Sequence, residues 1–486
     1  MKTKSLKLNF IMNIILTMSS FVFPLITFPY VSRILLPIGT GKVSFATSII
    51  TYFSMFAQLG IPTYGIRACA KVRDDREKLS KVAQELLIIN LIMSVFSYTV
   101  LFLGIVFVPR LHEEKNLYII LSFTIILTAI GMEWLYKALE QYTYITLRSI
   151  FFKFIALIAM FLLVHKQEDY VIYAGITIFA ASASNILNFV NAHKYIDLKF
   201  EKKYNFTQHM KPIMVFFAMS CATTIYTNLD TVMLGFMTTN TDVGYYNAAV
   251  KIKVILVSIV TSLGTVLLPR ASYYIEQGAM NEFRRITRKA LNFVILIATP
   301  MMLYFICFAK EGIYFLSGRA YEGSIIPMQL IMPTVLFIGI TNILGIQILV
   351  PMGREKIVLY SEIVGAVVDV IINICLIPQF ASAGAAIGTL IAEIAVFIVQ
   401  FWNLKDEVLG ALKKINYIKI IIGLLSSTIM TLWVKKCQWG NFATLVVSAF
   451  VFFIIYGVVL IFMKEELTLE IVNDVIKRNR NRNIKA

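Results

Sequence analysis

Charged side chains stand inside stretches of this chain that are otherwise apolar, and any chemistry it performs must begin with them. Lys251 and Lys253 lie in the stretch 244–268, Asp230 in 212–236, Glu133 in 116–136, Asp369 in 357–377 and Glu393 in 381–404. An ionisable group within hydrocarbon is costly, so each of these faces a partner or a water-filled cavity. At about 1.5 Å rise per residue, Asp230 and the two lysines fall at similar depth on consecutive antiparallel helices. A structural ion pair between Asp230 and one lysine is one reading. It leaves the second ammonium over, and that group is a candidate for an anionic substrate. A buried carboxyl can take up and release a proton, so Asp369, Glu393 and Glu133 are candidates for coupling to a proton or sodium gradient; hydrogen bonding between helices is the competing role.

Arg33, at the outer end of the first stretch, either snorkels to headgroups or turns into a cavity. Arg67 and Arg270, at matching ends of the second and eighth stretches, form either a symmetric basic gate or ordinary anchors. The four histidines (His112, His165, His193, His209) are separated, lie in loops or at span ends, and are expected to be solvated, with no metal-ligand spacing. The five isolated cysteines are expected to be packing residues. Gly39-Thr40-Gly41-Lys42 resembles part of a phosphate-binding loop, but Leu36 and Val43 stand where a glycine and a hydroxyl are required. Direct ATP hydrolysis is therefore not supported. No extramembrane segment is long enough to fold alone, so a transporter is expected rather than an enzyme, with no cofactor and no metal.

The elements that must position these residues are apolar helices. The chain has 486 residues, 58% of them hydrophobic, and reads as an all-α membrane protein of about fourteen transmembrane helices, each needing about 20 residues to cross about 30 Å. The expected spans are 10–32, 43–66, 84–108, 116–136, 147–165, 170–192, 212–236, 244–268, 290–309, 325–350, 357–377, 381–404, 415–434 and 440–463. Of the 45 Lys and Arg, 34 fall in every second gap and nine in the intervening gaps, which places the amino and carboxyl termini in the cytoplasm. Those cations are spread over eight short segments, so the net charge of +17 does not point to nucleic acid. Residues 1–32 are read as an uncleaved first helix, and the basic tail with Lys477, Arg478, Arg480 and Arg482 as a solvated end facing anionic lipid.

Gly41, Leu59-Gly60, Pro62 and Arg67 in the second span recur in order as Gly244, Leu263-Gly264, Pro269 and Arg270 in the eighth. This suggests two pseudo-symmetric six-helix lobes, 1–203 and 204–408, followed by two extra helices at 409–463 and a tail at 464–486. Repeat-built transporters place their cavity between such halves. Pro24, Pro29, Pro300, Pro327 and Pro333 would bend spans around one.

Several segments together resemble the polysaccharide-biosynthesis flippases of Wzx type, within the superfamily that also holds multidrug exporters and lipid II flippases. They are FPYVSRILLP (28–37), LGIPTYGIRA (59–68), EWLYKALEQYTYITLRS (133–149), NLDTVMLG (228–235), GYYNAAVKI (244–252), LLPRAS (267–272), IQILVPMGREK (346–356) and GAAIGTLIAE (384–393). The chain departs from the family at Leu36 and Ala138, where glycine is usual, and at Ile38, where an acid is usual.

The resemblance implies a protein of the bacterial cytoplasmic membrane that carries an oligosaccharide linked to undecaprenyl diphosphate to the outer face, by rocking of two lobes coupled to an ion gradient. Arg33, Arg67, Lys251, Lys253 and Arg270 would hold the diphosphate. Trp134, Tyr136, Tyr226, Asn228, Tyr245, Tyr246 and Asn247 would hold sugar. A polymerase and glycosyltransferases of the same pathway are possible partners. The rival readings are a cation-coupled multidrug exporter, a flippase of the lipid II type, and a membrane-embedded polymerase or glycosyltransferase.

Overall fold

The computed structural model describes residues 6–197, 199, 203–262, 264–437, 439–470 and 473. Lys2, Lys4, Leu263 of the repeat, and Lys477, Arg478, Arg480 and Arg482 lie outside them. The described residues are almost wholly helical. Eleven helices are long and apolar enough to cross a membrane, and a bent pair, Arg319–Ile331 with Thr334–Leu349 at 44°, makes a twelfth. Two of the long helices each carry a single left-handed residue that divides them: Leu36 (φ 57°, ψ 176°) in α1 (Leu6–Gln58), and Ala381 (φ 45°, ψ −123°) in the helix Glu355–Asn403. Divided there, the twelve become the fourteen segments expected from the sequence. Leu36 stands where the family usually has glycine, the residue that adopts this conformation at least cost.

By packing, the chain forms two units, Met1–Gly244 and Tyr245–Ala486. In the first, α1 is followed by α2 (Ile61–Lys71), α3 (Arg76–Phe107), α4 (Pro109–His112), α5 (Lys115–Gly131), α6 (Glu133–Ala138), α7 (Tyr142–Leu163), α8 (Tyr170–Ile178), α9 (Ser184–Ala192) and α10 (Thr207–Met237). The left-handed pair Leu59 (φ 45°) and Gly60 (φ 70°) separates α1 from α2, and Met132 (φ 40°) separates α5 from α6. Asp75 caps α3, its carboxylate accepting the Lys78 amide at 3.1 Å. α1 is central and packs against α3, α5, α7 and α10.

The packing boundary at Gly244 falls after α10, whereas the sequence divides its lobes at 203/204. The reason is close approach: α10 packs along α1 and α2, and a Cβ at Gly235 would stand 2.0 Å from the Phe45 ring. We retain the six-plus-six duplication as a proposal about the origin of the fold.

The second unit takes most of α11 (Asn240–Thr261), then α12 (Gly264–Glu276), α13 (Met280–Cys307), α14 (Ala309–Leu316), α15 (Ile325–Ile331), α16 (Thr334–Asn342), α17 (Glu355–Asn403), α18 (Lys405–Lys413), α19 (Tyr417–Leu432) and α20 (Asn441–Phe462). α13 packs against α12, α15, α16 and α18. The hairpin of α19 and α20 docks on it through Tyr304, whose hydroxyl donates to the Leu445 carbonyl at 2.8 Å and whose ring stacks on Phe308 with centroids 5.0 Å apart.

Candidate functional site

The second half of α1 carries Thr47, Thr51, Ser54 and Gln58. Their spacing of i, i+4, i+7 and i+11 puts all four on one helical face. With Thr124 of α5, Ser220 and Thr224 of α10, Gly60 and Pro62 at the start of α2, and the apolar Ile50, Met55 and Leu121, that face lines a half-open cavity of about 250 Å3 in the first unit. This is room for about eight waters at ~30 Å3 each. Its polar lining is hydroxyl and amide, with no ionisable group. Gln58 Nε2 donates to Ser54 Oγ at 2.9 Å, and the Thr51 hydroxyl donates to the Thr47 carbonyl at 2.8 Å. Neutral groups of this kind can exchange hydrogen bonds with a polyhydroxylated ligand and offer no counter-charge to an ion.

In the second unit, polar side chains gather on α17 at either side of its break at Ala381. Asp369 and Asn373 come from the first half, and Thr389 and Glu393 from the second; all four are buried. Gly388 lets the halves meet, since a Cβ there would stand 2.2 Å from Asn373 Oδ1 and 3.1 Å from Asp369 Oδ1. Tyr246 is buried, with its hydroxyl 2.9 Å from Thr389 Oγ1. The Thr389 hydroxyl also lies 3.0 Å from the Ala385 carbonyl, an acceptor one turn back on the same helix. The cluster presents carboxylate, amide and hydroxyl oxygens, a set suited to a proton or a small hard cation. Among the described residues no three His, Cys, Asp or Glu side chains converge as a metal site.

The other expected site residues divide between the units. Arg33 and Arg67 are exposed in the first, the Arg33 guanidinium donating to the Pro29 carbonyl. Neither lines the hydroxyl cavity. Asn228 is half-buried and donates to the Thr224 carbonyl at 3.1 Å, one residue from the cavity wall; Tyr226 is half-buried and Asp230 buried on the same helix. Glu133 pairs with Lys137 at 2.8 Å. In the second unit Lys251, Lys253 and Asn247 are half-buried on α11, and Arg270 is exposed on α12.

Three of the aromatics expected to bind sugar are buried in this structure: Tyr246, described above, Trp134 and Tyr136. Trp134 is buried where a Cβ at Gly65 would stand 2.9 Å from its ring. Tyr136 is fully buried, and its hydroxyl donates to the Asn188 carbonyl at 2.6 Å.

His209 requires a further correction. The sequence reads it as a solvated loop residue, yet it is 3% exposed, because the first turn of α10 turns its imidazole onto a buried acid of α3, Glu85. His209 Nε2 lies 2.7 Å from Glu85 Oε2. The same carboxylate accepts the Asn205 amide at 2.7 Å and Gln208 Nε2 at 3.0 Å. Arg148 is also buried, at 8% exposed, with its guanidinium carbon 5.9 Å from the Tyr144 ring centre. The polar spacing of 47, 51, 54 and 58 was a readable signal for the cavity; nothing local marks Glu85 and His209 as partners across 124 residues.

Residues 6–275, more than half of the chain, match the family described as polysaccharide biosynthesis protein, and residues 215–375 match the MatE family. The chain is 25% identical over 402 residues to a protein of Escherichia coli K12 named "Putative O-antigen transporter", covering 81% of this chain and 95% of that one. It is also 25% identical, over 34% of its length and 35% of the other's, to "Probable flippase AglR" of Haloferax volcanii. Among solved structures, "Lipid II flippase MurJ, inward closed conformation" superposes with a TM-score of 0.70 at 16% identity, over 94% of this chain and 99% of that one; this likeness shows a shared fold. With its polar cavity and polar cluster set within membrane-spanning helices, this multi-pass membrane protein belongs to the polysaccharide biosynthesis protein family.

Proposed function

We propose that the chain is a flippase that moves an oligosaccharide linked to a lipid diphosphate, of the undecaprenyl type, across the bacterial cytoplasmic membrane for surface polysaccharide assembly. The observation that carries this reading is the hydroxyl-lined cavity of the first unit. Uncharged walls that set hydroxyl and amide groups among the apolar Ile50, Met55 and Leu121 suit a saccharide, which offers both hydroxyls and C–H faces and must leave water to cross. Family membership supports it, as does a fold shared with a protein named as a lipid II flippase. In this proposal Arg33, Arg67, Lys251, Lys253 and Arg270 hold the diphosphate, and Tyr226, Asn228, Tyr246 and Asn247 contact the sugar. Asp230, Asp369, Glu393 and Glu133 are proposed to bind the coupling proton or sodium ion. The substrate would come from glycosyltransferases and pass to a polymerase.

The test is reconstitution of the full chain in vesicles with a fluorescent lipid-diphosphate oligosaccharide, scoring the fraction that reaches the opposite leaflet. Thr51→Val with Thr224→Val is expected to lower the rate about thirtyfold, since each deleted hydroxyl removes a hydrogen bond of about 1 kcal/mol. Translocation that is unchanged in this double variant would remove the cavity from the substrate path. The MatE match favours one second reading, a cation-driven drug exporter. Efflux of cationic dyes from the same vesicles, with no movement of the lipid-linked sugar, would replace the flippase reading with that one.

A further inference from the structure

We propose that Glu85 and His209 form a proton-binding site of the first unit, and that α2 reads its occupancy through the Tyr64 hydroxyl. The pair is deeply enclosed, with the side chains of His209 and Glu85 4% and 0% exposed. A buried carboxylate needs its lone pairs filled. Glu85 Oε1 takes the Asn205 amide, and Oε2 takes Gln208 Nε2 and His209 Nε2. These donors come from the segment entering α10 and from its first turn, so α3 and α10 are joined at one carboxylate.

This arrangement assigns the imidazole protons. Towards an ionised Glu85, Nε2 carries hydrogen in both protonation states, while the Gln208 amide, 3.3 Å from Nε2, donates to the same carboxylate; a proton is then gained or lost at Nδ1. The Tyr64 hydroxyl of α2 lies 2.8 Å from Nδ1. Towards a neutral imidazole Tyr64 must donate; towards an imidazolium it must accept. One proton therefore reverses the hydrogen bond that ties α2 to α10. It also changes the buried pair from a net negative charge to neutral. Arg67 and Cys69, on the same short helix, are the other titratable groups that act on Tyr64 besides Glu85. Because α2 begins at the left-handed Gly60 and contributes Gly60 and Pro62 to the cavity wall, a change in its seating reaches the cavity directly. This last link rests on the flippase reading; the proton site itself does not.

The experiment is hydrogen exchange of segment 61–71 in the full-length protein in lipid nanodiscs at about pH 5.5 and about pH 8, either side of the ordinary imidazole value of about 6.5, with times scaled for the intrinsic rate. Protection of the segment is expected to differ about tenfold between the two conditions, the size of one hydrogen bond to a charged group. His209→Gln keeps an amide donor for Glu85 and cannot titrate, so its profile should be flat. Tyr64→Phe leaves the buried pair intact and should be flat as well, which serves as the test if His209→Gln does not fold. Equal protection of the wild type at both pH values would overturn the proposal, as would a shift that survives in Tyr64→Phe. A wild-type shift that is lost in Tyr64→Phe, in a protein that fails to move lipid-linked sugar in vesicles, would uphold the proton site and sink the flippase reading.

Discussion

Gly388 lies so close to Asn373 that a methyl group on its Cα would stand 2.2 Å from the Asn373 side-chain oxygen. The two halves of α17 therefore meet at a place with no room for any side chain. Gly388→Ala must push Asn373 and, through it, Asp369 from their positions, at an overpacking cost of about 1–3 kcal/mol. The expected result is protein that still reaches the membrane but whose transport loses its dependence on the ion gradient. Measuring translocation in vesicles with and without an imposed gradient checks this; a gradient response equal to the wild type's would separate the cluster from coupling.

Asp75 supplies a pH dependence whose sign can be worked out. Its carboxyl is held below its ordinary value of 3.8 by the Lys78 side chain and backbone amide, with the ammonium 2.9 Å away. A depressed folded value means the contribution is complete above the unfolded value and is lost as the pH falls through the lower one. The first turn of α3 should therefore fray below about pH 4. Asp75→Asn keeps a capping oxygen without the charge, and hydrogen exchange across 76–80 should then be independent of pH after correction for the intrinsic rate. Acid fraying that persists in this variant would assign the effect to other groups.

Trp134 is expected to act on stability rather than on sugar recognition. It fills the space against Gly65, between α2 and α6, and Trp134→Ala should cost about 3–5 kcal/mol. A lowered melting temperature of the purified protein, in step with any loss of transport, is the expected outcome. Weaker translocation at an unchanged melting temperature would return Trp134 to the substrate path.

The fourteen apolar segments were legible because length and lack of charge suffice to define a span, whereas the break at Leu36 was not, since a leucine stands there in place of the family's usual glycine. Asp369 and Glu393 were legible as charges in hydrocarbon, although Asn373 and Thr389, which complete their setting, are polar without charge and do not stand out in a hydropathy profile. Glu85 was hidden for a different reason. It falls at the first residues of its span, where an acid is unremarked, and only the chain reversal between α9 and α10 brings His209 to it. The burial of Trp134 and Tyr136 was not legible, because an aromatic that packs and one that binds sugar share the same sequence signature.

The left-handed joints at Leu36 and Ala381 each turn the chain between two membrane-length helices without any intervening loop. Leu35 and Pro37 are buried on either side of the first, and Ser382 and Gly384 just beyond the second. An epitope or protease site inserted at the first joint would have to be accommodated by prying apart packed helices. The second is open on one side, since Pro378, Gln379 and Phe380 are exposed, so of the two it is the Leu36 joint that should refuse a tag or reporter.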